Sequence, residues 1–217
     1  MKVNYRQLGA SVLIFVGVGV LIATFIPIAS YLSDSRQKFP DLISPLSKDG
    51  VANNDIDYTR ASNWFIGSNE ALFIESEIKF YTLSIPDLEI DNAAVGIGGE
   101  DLSENLIHYP GTALPGKIGN SVIFGHSVLP SFFNPEDYMS IFSTLSTLKK
   151  GDEVYVNFDG IRYKYVIDAM FEVTPEDIQI LEQNSSGSYI TLVTCTPPGD
   201  PRKPKRLIVR ARLVPIS

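Results

Sequence analysis

Residues 153–167 read Glu153-Val154-Tyr155-Val156-Asn157-Phe158-Asp159-Gly160-Ile161-Arg162-Tyr163-Lys164-Tyr165-Val166-Ile167. Polar and apolar residues alternate from Glu153 to Val156, the period of a strand with one buried face. Asp159-Gly160 supplies the positive φ of a tight turn, and Tyr163–Ile167 supplies a second strand. The stretch is therefore a hairpin, entered through Lys150-Gly151-Asp152.

The same pattern recurs on either side. Phe80-Tyr81-Thr82-Leu83-Ser84-Ile85 stops at Pro86, and Leu88-Glu89-Ile90-Asp91 alternates into Ala94-Val95-Gly96-Ile97. Ser121-Val122-Ile123-Phe124 is a short apolar run between Gly119-Asn120 and Gly125-His126. Tyr189–Thr194 and Arg206–Ala211 are two further strand candidates. Helical signals are short. Tyr138, Ile141, Phe142, Leu145 and Leu148 recur at steps of three and four, which predicts one helix of about three turns. Pro175-Glu176-Asp177 opens a brief turn, with Pro where its missing N–H is tolerated. Seven or eight short strands with so little helix predict an all-β, closed or nearly closed barrel.

The N-terminus is different in kind. No charged residue occurs from Gln7 to Ser33, and Leu8–Ile28 is nearly all apolar. A helix crossing a bilayer needs about 20 such residues. A cleaved signal peptide has a shorter core of roughly 7–15 apolar residues and small residues at its cut site, for which Pro27 and Ala29 are a poor match. An uncleaved transmembrane helix is expected. Lys2 and Arg6 precede it and Asp34 follows, so the N-terminus is expected in the cytoplasm and the remaining chain outside. The expected organisation is a cytoplasmic stub and anchor over 1–33, a stalk over 34–76 and a barrel over 77–217. The stalk is polar and aperiodic, with Trp64-Phe65 marking some local structure.

The chain carries eighteen Lys and Arg against twenty-five Asp and Glu. Removing Lys2 and Arg6 leaves sixteen basic residues, so the outer part is strongly acidic. No basic run remains to track a phosphate backbone, and nucleic acid is not an expected partner. Two histidines and one cysteine cannot build the usual zinc clusters, and no loop carries a calcium-hand pattern. A phosphate-binding glycine loop and a Gly-x-Ser-x-Gly elbow are also missing from the sequence.

What remains is a cysteine and a histidine, each closing a predicted strand. Cys195 ends Thr191-Leu192-Val193-Thr194-Cys195 before Thr196-Pro197-Pro198-Gly199 turns the chain, and His126 ends Asn120–Gly125. Residues at a barrel rim can meet a substrate while the strand supports them. Arg202, Lys203, Lys205 and Arg206 follow, then Arg210 and Arg212. Positive charge near a thiol favours the thiolate and can receive a developing oxyanion. By alternation Arg206 and Arg210 share a face, so either could serve. A working Cys/His pair predicts a bell-shaped pH–rate profile.

Thr191-Leu192-Val193-Thr194-Cys195 resembles the Thr-Leu-x-Thr-Cys signature of the sortases. Leu83–Ile90 is similar to that family's first core strand, and His108-Tyr109-Pro110-Gly111-Thr112-Ala113-Leu114-Pro115-Gly116 to the segment leading to its histidine. Gly119–Ser127 resembles the strand ending in that histidine, and Lys205–Ala211 the last strand, which begins with the family's arginine. The resemblance covers roughly residues 80–214 in the right order. It implies an eight-stranded barrel with short helices behind one transmembrane helix, and a cofactor-free two-step acyl transfer. Cys195 would be the nucleophile, His126 the general acid and base, Arg206 the group steadying substrate and oxyanion, and Thr194 a residue lining the groove. His108 would be structural or at the rim.

The implied substrates are surface proteins or pilins with a Leu-Pro-x-Thr-Gly-like sorting motif. The implied acceptor is an amine from a cell-wall precursor or a pilin lysine. A hydrolytic cysteine protease and a non-catalytic, membrane-anchored binding barrel are the competing readings. The Pro-Gly-Thr-Ala-Leu-Pro-Gly stretch and the Cys-to-Arg segment look more like class D or E members than pilus-building ones. Some of the latter carry a lid with an Asp-Pro-aromatic tripeptide, and residues 34–80 hold none. Trp64-Phe65 could cover the groove, but a stalk contact or a core anchor is the expected role.

Overall fold

The Asp159-Gly160 hairpin forms as expected. Phe158 pairs with Ile161, and the two turn residues have φ of 51° and 71°. In this computed structural model, which describes residues 5–38, 57–65, 79–183 and 186–215, the hairpin supplies two neighbouring strands of a closed eight-stranded barrel. The strands are β1 (Phe80–Ile85), β2 (Ile90–Ile97), β3 (Leu106–His108), β4 (Gly119–Phe124), β5 (Glu153–Phe158), β6 (Ile161–Val173), β7 (Ser188–Thr196) and β8 (Lys205–Val214). Their order around the barrel is β1-β2-β3-β4-β7-β8-β6-β5, with β5 pairing back onto β1. Two pairs are parallel, β2–β3 and β4–β7; the rest are antiparallel. Closure leaves no free sheet edge. β3 escapes a sequence reading because three residues are too few to show a period.

Alternation decides what fills the barrel. Leu83, Ile85, Ile123, Ile190, Leu192, Leu207 and Val209 point inward and form the main core. A second apolar layer lies outside the wall made by β4, β7 and β8. There Val122, Phe124, Val193, Cys195 and Ile208 occupy outward positions yet are buried, because residues 58–65 and the Ile178–Leu181 turn pack over them. Asp177 caps that turn, its carboxylate accepting the Gln179 N–H.

The helix expected over Tyr138–Leu148 does not form. The segment is a chain of turns ending in a short 3-10 turn at Leu145–Thr147. The backbone donors of the segment go elsewhere: the Phe142 N–H bonds the His126 carbonyl, and the Ser140, Ser143 and Thr147 N–H groups reach back only three residues. Ser140 Oγ accepts the Asn134 N–H, Ser143 Oγ accepts the Val128 N–H, and Thr147 donates to the Thr144 carbonyl. The periodic residues Ile141, Phe142, Leu145 and Leu148 nevertheless pack into the core.

The N-terminal helix α1 runs Tyr5–Lys38, and its stretch Leu13–Asp34 is long and apolar enough to cross a membrane. Its apolar side chains, Phe15 and Phe25 among them, are exposed to whatever surrounds the helix. At its distal end Tyr31 donates a 2.9 Å hydrogen bond to Glu172 Oε1 on β6. Glu172 is buried and also takes Lys205 Nζ at 2.8 Å and the Thr196 hydroxyl at 3.3 Å. One carboxylate thus ties α1 to the ends of β7 and β8, next to Cys195 and Arg206. His108 is inside the protein: its ring meets Tyr81 OH at 2.9 Å and Thr112 Oγ1 at 3.1 Å. Burial pushes its pKa down to about 4, so it is a neutral structural residue at neutral pH.

Candidate active site

The β7–β8 register assembles the site. Cys195 lies directly opposite Arg206, and Thr191 opposite Arg210, so all four share the outer face of the wall. Of the arginines left open by the sequence, Arg206 is therefore the one placed directly across from Cys195. Arg210 stands four residues further along, with its guanidinium 4.1 Å from the Tyr189 ring. Arg202 is engaged elsewhere, donating through Nε and Nη2 to the buried carboxylate of Asp200.

β4 runs parallel to β7 and delivers His126 to the same rim. Three contacts fix that end. The Thr194 hydroxyl donates to the Gly125 carbonyl at 2.9 Å, the Ser127 hydroxyl donates to the Cys195 carbonyl at 2.8 Å, and the Phe142 N–H donates to the His126 carbonyl at 2.9 Å. Gly125 is required by close approach. A Cβ there would lie 2.4 Å from a Phe142 ring carbon and 2.6 Å from a Leu106 methyl. Thr194 points to the opposite face from Cys195, and its hydroxyl joins the cysteine strand to the histidine strand.

Residues 57–65, inside the stretch read as a stalk, form a strap across this face. Trp64-Phe65 is anchored in a buried apolar cluster, one of the placements expected from the sequence, and that cluster lies over the Cys195 face. Trp64 is fully buried, stacked on Phe124 at 5.1 Å, with its ring centroid 6.1 Å from that of His126. Arg206 lies 5.5 Å from the Trp64 ring and 5.2 Å from that of Tyr58, and its Nε donates to the Trp64 carbonyl at 3.1 Å. The strap is latched to the loop before β3: Ala61 N–H donates to Glu100 O at 3.1 Å, Leu102 N–H to Thr59 O at 2.9 Å, and Arg60 pairs with Glu100. Aperiodic sequence hid this element. Its one signal was a Trp-Phe pair in an otherwise polar stretch.

Cys195, His126 and Arg206 are consequently buried together, each at most 2% exposed. Burial, reinforced by Lys203, pushes His126 down to about 4, while Asp57 and Asp101 pull weakly the other way. The ring is neutral in this closed arrangement. Its Nε2 and Arg206 Nη2 are both buried and have no hydrogen-bond partner among the described residues. Unmet donors and acceptors in a closed site are costly, and a polar ligand would satisfy them. The described residues contain no cluster of His, Cys, Asp or Glu that could hold a metal ion.

A sortase-domain family model matches residues 83–214. The sortase A of Streptococcus agalactiae serotype III (strain NEM316) is 33% identical over 132 residues, 60% of this chain and 51% of that protein. The chain spans about half the length of the curated relatives it matches. Among solved structures, a lid mutant of sortase A from Corynebacterium diphtheriae is 31% identical with a TM-score of 0.55, covering 66% of this chain and 74% of that one. The sortase D5 transpeptidase of Clostridium perfringens is 27% identical with a TM-score of 0.54, covering 65% and 82%. The matched region begins in β1, ends in β8 and contains both strands that carry the thiol and the arginine, and the chain belongs to the sortase family.

Proposed function

We propose that this protein is a membrane-anchored cysteine transpeptidase that cleaves a Leu-Pro-x-Thr-Gly-like sorting motif and passes the acyl group to an amine. The observation that carries the reading is the cross-strand pair Cys195–Arg206 on a face shared with His126, sealed by a strap whose own peptide carbonyl already sits on Arg206. A bound substrate would place a carbonyl where Trp64 O now lies. Cys195 Sγ attacks the carbonyl after the motif's Thr, and the Arg206 guanidinium receives the developing oxyanion. His126, neutral in the closed site, takes the thiol proton as Sγ attacks and passes it to the leaving amine, and a thioacyl enzyme remains. The acceptor amine then attacks, His126 takes its proton, and the thiolate is released with a new amide formed.

Thr194 acts in this reading by holding the cysteine and histidine strands together. The lid of the Corynebacterium diphtheriae relative supports treating residues 57–65 as a cover that the substrate displaces. The substrates are surface proteins or pilins, and the acceptor is a cell-wall precursor or a pilin lysine. The subclass reading stays with the class D or E type, on the Pro-Gly-Thr-Ala-Leu-Pro-Gly stretch and the short Cys-to-Arg segment. The N-terminus is cytoplasmic and the barrel outside, where exported substrates emerge.

The test uses the full chain in nanodiscs, a panel of sorting-motif peptides, several amines and intact-mass detection. A thioacyl adduct that disappears in Cys195→Ala, with an amine-linked product, is the expected result. Acid release indifferent to the amine would make the protein a hydrolase. No adduct from any peptide, with the thiol free and the barrel folded, would overturn the reading.

A further inference from the structure

The outer face of β7–β8 continues past the reacting groups. Beyond Cys195 and Arg206 come Val193 opposite Ile208, and then Thr191 opposite Arg210. The middle step is an apolar trough now filled by the strap. The far step opens into a cavity of about 120 Å³, floored by Phe171, Ile180 and Ile208 and edged by Arg210. Most polar groups there satisfy one another. Thr191 donates to Asn120 Oδ1 at 2.7 Å, and Asn120 Nδ2 donates to the Ile180 carbonyl at 2.9 Å. Arg210 does not. Among the described residues its Nε is buried without a hydrogen-bond partner and it makes no ion pair, and the Tyr189 ring holds its guanidinium in place.

We propose that Arg210 reads the side chain just upstream of the sorting motif and favours an acidic residue there; the inference rests on the transpeptidase reading above. The thioacyl intermediate must stay bound while the leaving segment is exchanged for an amine. The acyl side therefore belongs in the long trough, and the exchange belongs at the rim where β7 ends. Four strand residues separate Cys195 from Thr191, about 13 Å at roughly 3.3 Å per residue. An extended peptide covers that distance in four residues. With the motif's Thr at Cys195, its Leu reaches the apolar floor and the residue before Leu reaches Arg210. A carboxylate there would pair with the free guanidinium, a charge-assisted hydrogen bond in a partly desolvated site. Glu182 also lines the cavity and Arg212 lies opposite Tyr189 on the same face. Glu182 opposes an incoming carboxylate and sets a limit on the preference.

The experiment takes whichever sorting peptide forms the Cys195 adduct and makes three versions, with Glu, Gln or Lys before the Leu. The full chain in nanodiscs is compared with Arg210→Gln, Arg210→Glu and Glu182→Gln, using kcat/KM with an amine acceptor. Expected is roughly a fivefold preference for Glu over Gln and again for Gln over Lys. Arg210→Gln should flatten that order, Arg210→Glu should invert it, and Glu182→Gln should widen it. Labelling of Cys195 by a small thiol reagent controls for folding of each variant. No discrimination by the native chain, or discrimination that survives in Arg210→Gln, overturns the inference while leaving the transpeptidase intact. Failure of every peptide to form an adduct overturns both, and is told apart by the missing thioacyl mass.

Discussion

Acidification should lift the strap, and the size of the effect follows from His126. With the strap closed the ring sits near 4, held there by burial and Lys203. With the strap lifted, water reaches the ring and its pKa returns toward the ordinary 6.5. The open form therefore binds a proton that the closed form refuses, and opening is favoured as pH falls through the window between 6.5 and 4. Linkage between those two values gives about 2 kcal/mol between pH 7 and pH 5, a factor of about 20 in the opening constant. Asp57 rides on the strap and departs with it, whereas Asp101 and Lys203 stay, so His126 carries most of the difference. Hydrogen–deuterium exchange reads the constant directly. Ala61 N–H is bonded to Glu100 O and Leu102 N–H to Thr59 O, and both bonds break when the strap leaves. After correction for intrinsic exchange, protection over residues 57–65 and at Leu102 should fall about 20-fold from pH 7 to pH 5. In His126→Gln it should stay constant. Unchanged protection in the native chain, or an equal loss in His126→Gln, would refute the reasoning.

Trp64→Ala removes the ring stacked on Phe124 and should speed labelling of Cys195 by a small thiol reagent at least tenfold, the barrel's circular dichroism being unaltered; an unchanged rate would mean the strap does not guard the thiol. Arg206→Lys keeps the charge but loses the planar fork that serves both the Trp64 carbonyl and an oxyanion, so peptide turnover should drop about 100-fold without loss of fold. Turnover within threefold of native would remove Arg206 from the oxyanion role. Glu172→Gln leaves Lys205 without its buried counter-charge, but Lys205 is partly exposed and can rehydrate, so urea denaturation should show a loss of about 2 kcal/mol. A stability equal to native would show that the Tyr31–Glu172–Lys205 cluster is incidental. Gly125→Ala forces a Cβ against Phe142 and Leu106 and should cost about 1–3 kcal/mol while displacing His126. Native melting and native turnover together would contradict the close approach.

Strands were legible wherever alternation ran for four residues or more, as in Glu153–Val156 with its Asp-Gly turn. Alternation says nothing about β3, and it says nothing about register. That second gap is why Arg206 and Arg210 could not be separated by parity alone. Both sit on the outer face, and only the pairing of β7 with β8 puts one opposite Cys195 and the other four residues away. The turn segment Tyr138–Leu148 shows the opposite failure. Its helical spacing identified the residues that reach the core, but the Phe142 N–H goes to the His126 carbonyl and the other backbone bonds close three-residue turns, so no helical ladder forms.

The strap was illegible in its own sequence and partly legible in the strands beneath it. A barrel wall exposed to water on one side should alternate apolar and polar. The runs Val122-Ile123-Phe124 and Leu192-Val193 do not: Ile123 and Leu192 face the interior, yet Val122, Phe124 and Val193 are apolar on the outside as well. Ile208 adds a fourth outward apolar residue from β8. Four such residues around the thiol require a cover, and Trp64-Phe65 was the one aromatic pair in the polar segment available to supply it. The cover need only be apolar and removable, so its sequence is free to vary as long as one carbonyl reaches Arg206. The missing Asp-Pro-aromatic tripeptide therefore told nothing about whether the site is closed. Here the closing contact is made by the Trp64 backbone, which no side-chain motif records.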